Sequence, residues 1–468
     1  MVKIKFLGAA SQVTGSCYHL SSNGLNFLVD GGLYQEREFL NRNWQPFPLP
    51  LDKIDYLLLT HGHLDHSGLI PKLVKDGFRG KILCTLPTAE LLPIVLYDTA
   101  KLQEEDAELK RKRHEREGRT GPHPEEPLYT AAEVDRALPL VEAVDYHQEV
   151  DLGSGIKVIF HEAGHIIGSA IIEIIASSHG SSRRLIFSGD LGQWEKPLVR
   201  DPEIFPQADY IFLESTYGDR DHEETGRIPD RLAEIINRTI RQKGNLIIPT
   251  FAIERAQELM YHLNNLVRKG KIPAVPVFLD SPMAVNVTDV FSHHLDSLDA
   301  EARHLFTSGQ NPFEFPGLKL IRDFRDSQAI AKMKTPAIIM AGSGMCTGGR
   351  IKQHLVNNIN RRESTILFVG YQAKGTLGRQ ILEGQSPVRI YGQNYPVKAN
   401  IEQIQGFSAH ADHKQLIKWL SYFVDQPPRQ LFLVHGEKEV LETFSKEIGA
   451  KTGWSTRTPG YLDEADLD

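Results

Sequence analysis

The chain has little cysteine. Three residues, Cys17, Cys84 and Cys346, are scattered through 468 positions. An odd and widely spaced set excludes a disulfide framework and a paired-cysteine zinc site, and fits reduced, buried thiols. Any metal would therefore have to be held by His and Asp. No apolar run is long enough to cross a bilayer. The opening Met1-Val2-Lys3-Ile4-Lys5-Phe6-Leu7-Gly8 alternates like a strand and lacks the apolar core of a signal peptide. A cytoplasmic protein with no membrane partner is expected. Basic charge is also scarce, with 53 Lys and Arg against 60 Asp and Glu, a net charge of −7. A protein that grips nucleic acid by bulk charge would be basic. Polyanion binding here would have to be local, in a groove, or supported by metal. No solenoid repeat is present, and the length allows two or three domains, each with its own core.

What the chain does have is concentrated at Thr60-His61-Gly62-His63-Leu64-Asp65-His66, directly after the apolar run Tyr56-Leu57-Leu58-Leu59. The run reads as a buried strand and Gly62 as part of a tight turn off its end. Imidazole nitrogen and carboxylate oxygen are ligands for Zn²⁺ and similar ions. His-x-His puts two rings on one side of an extended backbone, and Asp65 and His66 can face a second ion. A metal pair in that arrangement suits hydrolysis of phosphate and acyl esters.

Other strands also stop at a lone ionisable residue: Asp30 after Phe27-Leu28-Val29, His165 in Ala-Gly-His, Asp190 in Ser-Gly-Asp, Glu214 after Phe212-Leu213, then His410 and His435. Catalytic groups favour loops held by a rigid sheet. Taken singly, each could be a turn residue or a cap. Residues 98–119 place acids before bases at helical spacing and predict an exposed helix. Residues 118–127 read as a loop, with His114 and His123 solvent-exposed. Between about 220 and 398, helices over 227–242 and 254–269 alternate with buried parallel strands over 245–249, 275–279, 337–341 and 365–370. Residues 404–412 and 430–437 return to the strand-then-polar-loop style of the first half. The simplest account is one domain inserted into another.

The His61-x-His63-x-Asp65-His66 motif resembles that of the metallo-β-lactamase superfamily. Further pieces narrow the resemblance to the beta-CASP nucleases: Leu-Val-Asp30-Gly-Gly, Ala-Gly-His165, Ser-Gly-Asp190, Leu-Glu214-Ser-Thr-Tyr-Gly, Phe-Ser-Ala-His410-Ala-Asp, Val-His435-Gly-Glu, and the glycine-rich stretches 341–350 and 370–379. The nearest branch is the bacterial and archaeal relatives of the cleavage-and-polyadenylation nuclease subunit. The resemblance implies an α/β fold: a metallo-β-lactamase αββα sandwich over 1–218 and 399–468, with an inserted α/β beta-CASP domain over 219–398. It implies two Zn²⁺, with Mn²⁺ a substitute. His61, His63 and His165 would hold one ion, and Asp65, His66 and His435 the other. Asp190 would bridge them, with Asp30 orienting a ligand or the water.

A hydroxide activated by two metals would then attack phosphorus in line, with His410 as general acid and Glu214 keeping it protonated and aimed. The products would be 5′-phosphate and 3′-hydroxyl ends of single-stranded RNA. The glycine-rich stretches are no ATP site, because Thr376 follows Gly375 where a Walker motif needs Lys. A backbone-amide cradle for RNA phosphate is expected instead, with Ser343, Arg350, Lys374, Thr376, Arg379 and Ser408 as substrate contacts. Such contacts position a strand without reading its sequence. Three other functions compete. A DNA nuclease of this fold is disfavoured by His435, since the DNA-repair branch tends to carry Val there. A small-molecule hydrolase would need neither the insertion nor Glu214 and His410. An inactive scaffold would have lost ligands, and here all are present. Endonuclease and 5′→3′ exonuclease modes both stay open, as does a homodimer.

Overall fold

Apolar residues alternate in direction along nearly every strand of the first half, and this sets the layers. Phe27 and Val29 join one buried cluster while Leu28, between them, joins another. Leu58 and Leu57 divide in the same way. In the second sheet Phe212 faces inward and Ile211 and Leu213 outward, and Phe432 is flanked likewise by Leu431 and Leu433. Two-sided burial of this kind requires a layer on each face of each sheet.

The computed structural model describes residues 2–120, 125–178, 180–223, 225–423 and 426–468. They form two compact units. One contains the chain up to Lys196, Arg200–Asp221 and His410–Asp468; the other contains Pro197–Val199 and His222–Ala409.

The first unit is built on two seven-stranded sheets. One runs Glu464–Leu467, Val2–Gly8, Cys17–Ser22, Leu25–Val29, Tyr56–Leu58, Lys81–Thr85, Val141–Val144. The other runs Thr456–Arg457, Gln430–Val434, Tyr210–Glu214, Ser181–Phe187, Ala170–Ser178, Ile156–Glu162, Glu149–Gly153. Their inner faces share one core, including a stack in which the nearly parallel rings of Phe187 and Phe212 lie 4.1 Å apart and those of Phe212 and Phe432 4.8 Å apart. Helices cover the outer faces. Leu73, Leu92, Leu96 and Val134 pack on the first sheet, and Leu416, Trp419, Leu441 and Phe444 on the second. This is an αββα sandwich.

In the second unit six short strands form one sheet, in the order Leu318–Leu320, Val277–Leu279, Ile338–Ala341, Leu246–Pro249, Thr365–Phe368, Asn400–Gln403. Every pairing in it is parallel. Helices Ile228–Arg241 and Arg255–Arg268 lie within two residues of the expected bounds.

Three expectations are corrected. The helix expected over 98–119 is the distal part of a longer one, Leu86–Glu117, whose proximal half buries one face through Leu91, Leu92, Val95 and Leu96. His114 on that helix is buried and pairs with Glu125, so it is not solvent-exposed; a polar neighbourhood in sequence did not reveal a partner eleven residues away. His123 lies outside the described residues. The strand expected to open the segment 404–412 lies earlier, at Asn400–Gln403, and pairs with Thr365–Phe368. Its mixed polar sequence suits an edge position, where one side of the strand has no neighbour.

The aromatic stack should dominate the stability of the first unit. Phe212→Ala should cost about 3–5 kcal/mol and lower the urea midpoint. Leu109→Ala, at a 66% exposed helix position, should stay within about 0.5 kcal/mol. Similar shifts for the two would mean that the stack contributes little.

Candidate metal centre

Parallel neighbours bring their carboxyl ends to one edge of a sheet, and that places the ionisable residues. Leu25–Val29 is parallel to Tyr56–Leu58, so Asp30 and the turn Thr60–His66 leave the first sheet together. Ser181–Phe187, Tyr210–Glu214 and Gln430–Val434 are consecutive parallel strands of the second sheet. Asp190, Glu214 and His435 follow or end them. His165 lies in the turn between Ile156–Glu162 and Ala170–Ser178. Two glycines permit the close approaches. A side-chain carbon on Gly32 would lie 1.7 Å from the carbonyl oxygen of Asp65, and one on Gly192 would lie 1.7 Å from that of Gly164. Asp30 and His435 both hold positive φ, 63° and 51°, conformations that ordinary residues adopt at a cost and that cluster at functional sites.

Seven of the expected residues converge in two groups. His61, His63, His165 and Asp190 each bring one ligand atom within 4.8 Å of the others, and so do Asp65, His66 and His435. In the first group His63 Nδ1 lies 3.1 Å from His61 Nε2 and 3.2 Å from His165 Nε2. In the second, His66 Nε2 lies 3.2 Å from His435 Nε2, which is 3.6 Å from Asp65 Oδ2. Asp190 spans both. Its Oδ2 is 3.5 Å from His61 and from His165, while its Oδ1 is 3.2 Å from His66 and 3.6 Å from His435.

Hydrogen bonds on the far side of the rings fix which nitrogen faces inward. His66 Nδ1 donates to Asp30 Oδ2 at 2.7 Å. His61 Nδ1 lies 3.0 Å from the Thr60 hydroxyl, which in turn reaches Asp30 Oδ1 at 3.0 Å. His435 Nδ1 meets the Thr216 hydroxyl at 3.0 Å. Asp30 also accepts from the Thr60 backbone N–H at 2.8 Å and the Ser16 hydroxyl at 3.2 Å. With their Nδ1 protons donated outward, His61, His66 and His435 turn Nε2 lone pairs inward, as second-layer partners do around metal-bound histidines.

Protonation divides the rings. Burial opposes charge on His66 and His435, but Asp190, with Asp30 beside His66 and Asp65 beside His435, outweighs it and raises both above the usual histidine range, so a cation would displace their Nε2 protons. Burial, aided by neighbouring imidazoles, holds His61 and His165 well below the usual histidine range and brings His63 down to about 4. Burial works against ionised Asp190, but the surrounding His435, His66, His410 and His61 outweigh it and hold the carboxyl well below its ordinary range.

The residues fit a divalent metal. Inward lone pairs 3.1–3.2 Å apart are close to the edge of about 3.3 Å expected for four ligands at 2.0–2.1 Å in a tetrahedron. Asp190 Oδ1 is buried and accepts no hydrogen bond from the described residues, a costly state unless something else satisfies it.

Beside this centre Glu214 is fully buried and clamped. Its Oε1 accepts from the Leu191 N–H at 3.1 Å and its Oε2 from the Thr216 N–H at 3.0 Å. Oε1 also meets His410 Nδ1 at 3.0 Å. The His410 ring lies 4.5 Å from that of His165, and its Nδ1 is 3.9 Å from Asp190. Burial tends to deprotonate His410, but Glu214 and Asp190 together raise it to about 9.

The residues expected to touch substrate belong to the second unit. Ser343 accepts the N–H groups of Thr347 and Gly348. Arg350 is engaged internally, by Asp280 Oδ1 at 2.7 Å and the Arg322 carbonyl at 2.7 Å. Thr376 caps the helix Leu377–Leu382, Arg379 pairs with Glu383, Lys374 is exposed and Ser408 is buried. Sequence reasoning missed Thr60 and Thr216. The available signal was a hydroxyl residue directly before His61 and another two positions after Glu214.

Comparisons with known proteins agree with the fold. The Metallo-beta-lactamase superfamily domain matches residues 19–189, the Beta-Casp domain 256–381, and the Zn-dependent metallo-hydrolase RNA specificity domain 394–459. The chain is 36% identical to Ribonuclease TTHA0252 of Thermus thermophilus, over 96% of each chain. It is 31% identical to Transcription termination factor FttA of Methanosarcina mazei, over 100% of this chain and 72% of that one. A solved structure of a protein of unknown function from Enterococcus faecalis V583 shares the fold, with a TM-score of 0.55 at 13% identity, covering 99% of both chains. Fold and centre together define a metal-dependent hydrolase. The chain belongs to the beta-CASP family of the metallo-β-lactamase superfamily.

The relay through Thr60 has a measurable consequence. Thr60→Val removes the hydroxyl at nearly constant volume and should weaken metal binding by about 10–100-fold, read by competition with a chromogenic chelator. An unchanged Kd would show that Thr60 does not orient the ligands.

Proposed function

We propose that the protein is a zinc-dependent ribonuclease that hydrolyses phosphodiester bonds of single-stranded RNA in the cytoplasm. The observation that carries this reading is the placement of the Glu214–His410 pair beside a centre that Asp190 straddles. Thioester hydrolysis expels a thiolate, which needs less help. A ribose 3′-oxygen leaves poorly without a proton, and a histidine held protonated beside the centre supplies one. The relative named a ribonuclease and the match to an RNA specificity domain favour RNA as the polymer.

In this reading His61, His63 and His165 would hold one Zn²⁺ and Asp65, His66 and His435 a second, with Asp190 offering an oxygen to each group; Mn²⁺ would be a substitute. Such a pair, when bound, makes water nucleophilic at neutral pH and offsets charge on the phosphate oxygens. The remaining work falls to the chain. Asp30 and Thr60 keep the imidazoles aimed. Glu214, fixed by two backbone N–H groups, holds His410 Nδ1 and so keeps the ring charged and oriented. His410 gives its proton to the departing 3′-oxygen, leaving 5′-phosphate and 3′-hydroxyl ends.

The stretches 341–350 and 370–379 follow the carboxyl ends of Ile338–Ala341 and Thr365–Phe368, where open parallel sheets bind ligands. We assign phosphate contacts to this edge, through backbone amides and Ser343, Lys374, Thr376, Arg379 and Ser408. Arg350 would act there mainly by fixing Asp280.

RNA labelled at either end tests the proposal. The purified protein should cleave it with Zn²⁺ or Mn²⁺ and stop when a chelator is added. No cleavage of several RNAs under either metal would sink it, and faster cleavage of matched DNA would move the assignment to DNA. His410→Ala should keep its bound metal and lose about 10²–10⁴-fold in turnover. If that variant loses metal instead, His410 is a ligand and not the acid. Mononucleotides released first from the 5′ end would define an exonuclease, and internal fragments first an endonuclease.

A further inference from the structure

A second group of imidazoles lies in the first unit, outside the centre described above. His147 sits in the turn between Val141–Val144 and Glu149–Gly153, His161 on the strand Ile156–Glu162, and Glu203 in the segment leading to Tyr210–Glu214. One ligand-type atom from each lies within 4.8 Å of the other two. The His147 and His161 rings meet edge to face, 5.3 Å apart. Backbone bonds fix the three positions. His147 N–H donates to the Phe160 carbonyl at 2.9 Å and Glu203 N–H to the Glu162 carbonyl at 2.8 Å, while His161 is in register with Ile171.

The environment of His161 is that of a metal ligand. Its Nε2 lies 2.8 Å from Glu173 Oε2, and Glu173 is itself paired with Arg184 at 3.0 Å. A carboxylate on Nε2 places the ring proton there and leaves the lone pair on Nδ1. That Nδ1 is buried and has no hydrogen-bond partner among the described residues. A carboxylate–imidazole pair with the other nitrogen left bare is the usual support of a metal-bound histidine. Nothing in the hydrolytic chemistry uses these residues.

We propose that His147, His161 and Glu203 form a further metal site, which takes a borderline divalent cation such as Zn²⁺ in a structural role. Two imidazoles and a carboxylate suit that ion, and the exposed position of His147 leaves room for water as a fourth ligand. The cation would tie the turn at His147 and the segment at Glu203 to the strand that runs into His165.

Zinc content measured by elemental mass spectrometry, after equilibration against buffered free Zn²⁺, tests the site. His147→Ala and Glu203→Gln should each bind one Zn²⁺ fewer per chain than wild type, with no further loss in the double variant. Circular dichroism and RNA cleavage should be retained. Added Zn²⁺ should raise the Tm of the wild type more than that of either variant, because a ligand that binds only the folded state stabilises it. Equal zinc content in all four proteins, up to saturation of the wild type, would overturn the proposal. Loss of cleavage together with the zinc would overturn the structural role. The difference in zinc content is read whether or not RNA is the substrate, so it fails separately from the ribonuclease assignment.

Discussion

The carboxylate of Asp190 is buried among imidazoles, with one oxygen turned to His61 and His165 and the other to His66 and His435. Such an arrangement is unfavourable for a folded chain by itself. A buried carboxylate oxygen without a donor and several converging lone pairs are each poorly satisfied. What reconciles them is a divalent cation, and much of the first unit serves to hold the ligands ready for one. Two sheets contribute parallel strand ends at one edge, the Thr60–His66 turn is pinned against Gly32, and the His165 turn against Gly192.

Rigidity around the centre comes from the second layer. Asp30 is buried and gathers contacts from His66, from both the hydroxyl and N–H of Thr60, and from Ser16. Thr216 plays a similar part for His435, and its N–H also clamps Glu214. One short segment, Glu214–Thr216, thus ties the His410 pair to a ligand of the second group. Geometry fixed in this way costs the ligands little reorganisation when metal or substrate arrives.

The second unit uses the same physics for a different end. Asp280, at the carboxyl end of Val277–Leu279, accepts from Ser327, Arg350 and His354. Those bonds overcome the effect of burial and hold its carboxyl below the usual range. Arg350, which the sequence suggested as a substrate contact, is thereby drawn into the scaffold of the loop that follows Ile338–Ala341. A basic residue in a glycine-rich stretch looks the same in sequence whether its charge is offered to a ligand or satisfied by a buried acid.

Much of the fold and centre was legible because its signals are local. Period-two alternation in Phe27-Leu28-Val29 and in Ile211-Phe212-Leu213 determines two-sided burial, and an apolar run that ends in an ionisable residue determines where chemistry can sit. The same signal marked Asp190, Glu214, His410 and His435, and motif resemblance supplied the roles expected of them. The strand Asn400–Gln403 was not legible, because an edge strand with mixed polarity carries no alternation of its own. Nor was the partner of His114, the commitment of Arg350, or the cluster of His147, His161 and Glu203. Each depends on residues distant in sequence that meet only when the strands align. By itself the sequence determined which groups could bind a metal. Only the tertiary structure decided which nitrogen of His66, His435 and His161 faces its site, because that choice is made by hydrogen bonds that the rings donate to Asp30, Thr216 and Glu173, which lie on other strands and turns.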